Sequence, residues 1–187
     1  MVHPTEPILT ARLDLVPLRV GDAEEMVGVL GDPALYGFIG GRPPALVELT
    51  DRYRHQVGGR SGDGREEWHN WIVHERETGA ATGFVQATLT GGAAFVRDGG
   101  SAGGPLEAEV AWLIGAPWQG RGYATEAARG LVDWLVRGGV PEIVAHVHPD
   151  HQASAAVAAR AGLEPTDTFV DGEREWRRTM ISGDVRA

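Results

Sequence analysis

From Arg12 to Arg19 the chain alternates apolar and polar side chains, the pattern of a strand with one face buried. Asp22 can cap a helix running to Leu30, with Met26, Val27, Val29 and Leu30 as its apolar members. A connection rich in Pro and Gly follows at residues 31–44, then a weaker helix over 46–57 and an exposed loop over 58–64. Residues 68–74 and 80–90 read as two strands about the turn Glu77-Thr78-Gly79.

The stretch 97–105 is so rich in Gly that it is expected as a mobile loop. Residues 107–114 form the next strand, with Val110, Trp112 and Ile114 on one face and Glu109, Ala111 and Leu113 on the other. Over 122–137, Ala124, Ala127, Ala128, Leu131, Leu135 and Val136 recur with helical spacing, and Gly138-Gly139 ends the run. A β-branched run at 143–147 predicts a buried strand. A helix over 153–161 stops at Gly162, and strands at 166–170 and 175–181 flank Asp171-Gly172. The predicted order is β-α-α-β-β-β-α-β-α-β-β. The strand-helix-strand unit over 107–147 implies a parallel pair with a right-handed crossover inside an otherwise antiparallel sheet, and its strand-to-helix turn is where a ligand is expected.

At 187 residues and 42% hydrophobic content the chain can bury one sizeable core. A single domain over 1–187 is expected, with 1–9 as a flexible lead. No run of about 20 apolar residues suits a membrane, and the opening residues lack a basic segment followed by an apolar one, so the expected address is cytoplasmic. Without cysteine there is no disulfide, thiolate nucleophile or Cys-based zinc site. A formal charge of -9 disfavours nucleic acid and suits a cationic acceptor such as an amine.

The segment Gln119-Gly120-Arg121-Gly122-Tyr123-Ala124-Thr125 leaves a strand and opens a helix, so its N–H groups have no intrahelical acceptors and can converge on an anion. Gly120 and Gly122 clear side chains from the approach, Ala124 is small, and Arg121 adds a positive charge at the mouth. A P-loop would need a Lys that this chain lacks. A dinucleotide fingerprint would need a small residue at Thr125 and a carboxylate where His148 and Pro149 stand.

The strand Glu109-Val110-Ala111-Trp112-Leu113-Ile114 followed by Pro117-Trp118-Gln119-Gly120-Arg121-Gly122-Tyr123-Ala124-Thr125-Glu126-Ala127 resembles the strand and Q/R-x-x-G-x-G/A turn of GNAT acyltransferases. Within that superfamily it is most similar to the ribosomal-protein N-terminal (alanine/serine) acetyltransferase branch. Thr10-Ala11-Arg12-Leu13 with Leu18-Arg19, residues 79–85, and Ser154 through Gly162-Leu163 extend the likeness over nearly the whole chain. The resemblance implies an α+β fold of three layers: a mixed, mostly antiparallel sheet with one parallel, splayed strand pair and helices on both faces. It implies acetyl-CoA as co-substrate, with pantetheine pairing near Leu113, Ile114 and Gly115 where the two parallel strands part beyond a bulge.

Direct acyl transfer to an amine needs a base, and Glu109 matches the family position for it. The Tyr that many members carry before the terminal helix Gly is Ala158 here. Ser154 matches a Ser of the N-terminal acetyltransferase branch, and His151 replaces an Asn. Ser154 is thus a second catalytic candidate and His151 a coenzyme contact. On the acceptor side the resemblance implies Tyr36, Phe38, Ile39 and Trp176, and the acceptor is a cationic small molecule or a protein N-terminus. A homodimer stays open. Two other readings stand beside this one. The first is a non-catalytic acyl-CoA-binding module of the same fold. The second is a metallohydrolase, because His146-Val147-His148-Pro149-Asp150-His151 spells a metallo-β-lactamase-like motif. That superfamily draws ligands from well downstream, where this chain has no His, so no metal is expected.

Overall fold

A computed structural model describes residues 5–92 and 106–179; the loop expected at 97–105 and the end of the last expected strand, at Ile181, lie outside them. The elements are β1 (Ile8–Leu9), β2 (Leu13–Pro17), α1 (Ala23–Val29), α2 (Tyr36–Ile39), α3 (Leu46–Gln56), β3 (Glu67–Glu75) and β4 (Ala81–Thr90), followed by β5 (Glu107–Ile114), α4 (Tyr123–Arg137), β6 (Glu142–Val147), α5 (Gln152–Arg160), β7 (Glu164–Val170) and β8 (Glu173–Thr179). All eight strands join one sheet in the order β1-β2-β3-β4-β5-β6-β8-β7. Pairing is antiparallel throughout except between β5 and β6. The mixed sheet with helices on both faces is the architecture expected above.

Strand alternation divides the apolar side chains between two layers. Leu13, Leu15, Trp71, Val85, Val110 and Ile143 pack under α4 and α5, where Leu131 and Leu135 meet them. Ile72, between Trp71 and Val73, points the other way and packs with Met26, Leu49 and Tyr53 of α1 and α3. Central strands covered on both faces read as dense apolar runs, and this explains the Trp-Ile-Val sequence of β3.

Three local expectations are corrected. Residues 5–9 are not a loose lead: Ile8 and Leu9 pair with Leu15 and Asp14, Ile8 is buried, and Trp71 Nε1 donates to the Glu6 carbonyl at 2.8 Å. The helix α4 comes so close to this edge that a Cβ at Gly130 would stand 3.0 Å from the Thr10 methyl. Asp22 does not cap α1 with its side chain; its Oδ2 accepts the Arg19 N–H at 2.7 Å and closes a 3-10 turn that leads into the helix. The connection at 31–44 contains a 3-10 turn at Pro33–Leu35, capped by Asp32, whose Oδ1 accepts the Ala34 N–H, and the one-turn helix α2 that follows it. The far edge of the sheet is β7, an exposed strand whose register on β8 is irregular between Pro165 and Phe169.

At the centre of the sheet Gly83 makes a close approach. A Cβ there would fall 2.1 Å from the Leu113 carbonyl oxygen and 2.9 Å from Ile114 Cα, both backbone atoms of β5 that cannot swing aside. Gly83→Ala is therefore expected to force β4 and β5 apart and to cost about 3 kcal/mol. A denaturant titration that moves the midpoint by much less than that would show the approach to be looser than described.

Candidate functional site

The parallel strands pair only at their beginnings: Glu107 with Glu142, Ala108 with Ile143 and Glu109 with Val144. Beyond Val144, β6 keeps its partner β8 as far as Val147, and beyond Glu109, β5 keeps β4 as far as Ile114. A gap therefore opens between Trp112–Ile114 and the end of β6. The bulge expected at this point is absent, because the β4–β5 register runs unbroken from Thr90–Glu107 to Gly83–Ile114. Below the gap the facing carboxylates of Glu107 and Glu142 would repel. Arg177 of β8 donates to both, at 2.9 and 2.8 Å, and clamps the three strands where they meet.

Of the residues expected to offer main-chain groups to the gap, Leu113 and Gly115 turn theirs to β4. The Gly115 N–H donates to the Thr82 carbonyl at 2.8 Å, and the Leu113 carbonyl lies against Gly83. Alternation directs Ile114 to the open side, where Gln119 Nε2 donates to its carbonyl at 2.9 Å. The chain then passes through a 3-10 turn at Ala116–Trp118 into the glycine turn.

Gly120 and Gly122 have φ of 75° and 79°, the left-handed region that other residues avoid. With these two hinges, none of the N–H groups from Gly120 to Thr125 finds a protein acceptor among the described residues; the first intrahelical bond of α4 is Glu126 N–H to the Gly122 carbonyl at 3.1 Å. A Cβ at Gly120 would meet nothing within 4 Å, so the space above the turn is open. Converging donors at a helix start, with room before them, fit a diphosphate.

Two carboxylates bolt this turn in place. Glu126 accepts from the Thr10 hydroxyl at 2.7 Å, the Arg12 N–H at 2.6 Å and Arg12 Nε at 2.8 Å. Arg12 also donates to the Arg121 carbonyl at 3.0 Å and lies over the Tyr123 ring, 4.9 Å from its centroid. Burial pushes the Glu126 carboxyl up, but the Thr10 and Arg12 donors outweigh it and hold it below the usual range. On the other side the Tyr123 hydroxyl donates to Glu75, which also accepts from Thr78 at 2.8 Å. Tyr123, with Thr78 and Arg121, holds the Glu75 carboxyl below its ordinary value, and the same bond raises Tyr123. Arg121, the expected positive charge at the mouth, leans on Glu75 at 3.4 Å with half its side chain exposed.

On the α1/α3 side of the gap, Glu109 Oε1 lies 3.0 Å from His146 Nδ1. Nearby, Phe38 of α2 stacks on His151 at 4.4 Å between ring centroids and tilts against His148 at 5.4 Å. Burial and then the neighbouring His148 push His151 below the ordinary imidazole value.

Over residues 12–164 the sequence matches the acetyltransferase (GNAT) domain. The chain belongs to the GNAT acetyltransferase family. Solved structures similar to this GNAT domain include an acetyltransferase from Agrobacterium tumefaciens (28% identity, 96% of this chain and 98% of that one, TM-score 0.67). The ribosomal alpha-N-protein acetyltransferase RimL in complex with coenzyme A has 16% identity, coverage of 94% and 98%, and a TM-score of 0.70. An aminoglycoside acetyltransferase, also in complex with coenzyme A, has 20% identity, coverage of 89% and 94%, and a TM-score of 0.68. No curated protein matches the sequence significantly.

Within the GNAT domain the expected site residues fall into two groups. The turn residues Gln119 to Thr125 follow β5 at the open end of the gap, while Glu109 lies on its α1/α3 side against His146 and Phe38 of α2 stacks on His151. Tyr36 is anchored there by its hydroxyl, which donates to the Leu30 carbonyl at 3.0 Å. Ser154 lies in the first turn of α5 and does not cap it; its hydroxyl has no protein partner among the described residues. Trp176 is a correction. It pairs with Ala145 and packs on the α4/α5 cluster, so alternation along β8 puts Glu175 and Arg177 on the Glu109 face instead. The motif residues His146, His148 and His151 do not converge, and among the described residues no three His, Asp or Glu side chains meet to hold a metal. Sequence reasoning missed the roles of Arg12, Glu75, Glu126 and the clamp Arg177.

Because the Glu126 carboxyl titrates below its ordinary value of roughly 4.3 when folded, its contribution is complete above that pH and drains away as pH falls through the lower folded value. Glu126→Gln is expected to cost about 2 kcal/mol at neutral pH. Melting curves should show the difference from wild type narrowing in acid; a constant difference down to the acid limit would contradict the bolt.

Proposed function

We propose that this chain transfers an acetyl group from acetyl-CoA to a primary amine. The observation that carries the reading is the set of unpaired N–H groups from Gly120 to Thr125, aimed at open space beside a gap between parallel strands. These donors would hold the diphosphate, and the open side of Ile114 would receive an extended arm as an added strand. The coenzyme supplies, when bound, an acyl thioester ready for attack.

The chain's own residues supply the rest. An amine arrives protonated at neutral pH and must lose that proton before it can attack. The proton-accepting group is the Glu109–His146 pair, of which the sequence alone pointed to the carboxylate. The free Ser154 hydroxyl at the start of α5 is the group available to hydrogen-bond the departing sulfur. Phe38 and Tyr36 on α2 wall the acceptor side, and a net charge of -9 favours a cationic acceptor. Relatives named for acetylating a protein alpha-amino group and an aminoglycoside support an amine-bearing acceptor.

Coenzyme A at 100 times its Kd is expected to stabilise the protein by about 2.7 kcal/mol. Gly120→Val, whose side chain enters the open space above the turn and whose β-branch strains a backbone held at φ 75°, should weaken coenzyme affinity at least tenfold. Thiol release from acetyl-CoA with a panel of primary amines tests the reaction. Glu109→Gln should lower it by about tenfold or more while coenzyme protection stays intact. Thermal protection without thiol release from any amine would favour a coenzyme-binding module that performs no chemistry.

A further inference from the structure

We infer that His146 is the group that takes the proton from the acceptor amine, at its Nε2 atom, and that Glu109 is its positioning residue. The inference rests on the transferase reading and deepens it. An ionised carboxylate can only accept, so the 3.0 Å contact between Glu109 Oε1 and His146 Nδ1 requires the proton to be on Nδ1. In the neutral ring Nε2 is then left with a bare lone pair, and it has no partner among the described residues.

Position supports the same assignment. His146 stands two residues past Val144, where β6 has lost β5, and on the same face as Glu109. Its side chain is 17% exposed, against 56% for Glu109. Glu175, the register partner of His146 on β8, is already engaged by Arg177 Nε and its second terminal nitrogen, each at 3.0 Å. Glu109 is therefore the carboxylate free to fix the tautomer. The remaining titratable or charged groups on this face of β5, β6 and β8 are Glu107, Glu142, Arg177 and Glu173, with His148 just past the end of β6, and α5 covers the opposite face.

His146 Nε2 takes the ammonium proton, and the freed nitrogen forms the N–C bond as the thioester C–S bond breaks. The second nitrogen proton leaves with sulfur as the thiol, and the imidazolium returns its proton to water. Glu109 stays ionised throughout and stabilises the imidazolium through Nδ1–H.

The test is kcat/KM for thiol release with the best amine of the panel, from about pH 5.5 to about 9.5, in wild type, His146→Gln and Glu109→Gln. Coenzyme protection of each variant confirms folding. His146→Gln should lose about 100-fold or more and abolish the rise on the acid side. Glu109→Gln should keep that rise at about a tenfold lower level, as expected for a group acting through another. Nitrogen NMR of the wild-type histidines should show His146 protonated on Nδ1 and bare on Nε2; a proton on Nε2 overturns the inference whatever the turnover. An active wild type whose profile survives His146→Gln but collapses in Glu109→Gln overturns it alone. A wild type that binds coenzyme A and releases no thiol from any amine overturns the transferase reading and this role together.

Discussion

A helix that begins beside the middle of a sheet cannot satisfy its own first N–H groups, and the site is organised around that constraint. Two left-handed glycines shape the turn that carries the orphan donors. The turn is not left to hold itself: Glu126 ties it to the β1–β2 connection through Thr10 and Arg12, and Glu75 ties Tyr123 to the end of β3. An anionic side chain inside a helix's first turn partly cancels the positive end of the dipole, yet Glu126 spends its oxygens on Thr10 and Arg12, and Glu75 stands outside the helix, on β3. The anion-receiving face is thereby left uncompensated while the frame behind it is neutralised.

The parting of β5 and β6 has an equally local origin. Below the gap, three carboxylates and one guanidinium form a cluster on a single face, in which Arg177 reaches Glu107, Glu142 and Glu175. Those partners, Glu175 first, raise Arg177 further above its already high value, so it stays charged under any condition in which the protein is folded. Above the gap nothing bridges the backbones, and His146 and Glu109 meet only through their side chains. A strand pair clamped at one end and released at the other makes a wedge-shaped opening without any irregularity in the strand itself.

Much of this was legible in the chain. The helices of the second half, the buried run at 143–147 and the glycine turn follow from periodicity and from residues whose conformational demands are narrow. What escaped was what depends on contacts distant in sequence. Glu126 was visible within the Ala-Thr-Glu-Ala continuation and Arg12 within the first strand, but their bond spans 114 positions, and no local pattern joins them. Trp176 was misplaced because a strand residue's face depends on a register set by its partner. His146 was read as part of a metal motif, since spacing brings His146, His148 and His151 together in sequence; the turn after β6 sends the last two to Phe38 and leaves the first with Glu109. The short β1 was invisible because two residues carry no period.

Sheets with an open margin invite other chains to extend them, and this one ends on β7, whose residues are almost all exposed, including Phe169 and Val170. The irregular register between Pro165 and Phe169 interrupts the margin near its middle, and Pro165 has no N–H to offer. An incoming strand would find a broken row of partners rather than a continuous template. The margin is thus self-limiting: apolar enough to rest against a neighbour through side chains, yet ill-suited to templating fibrous growth.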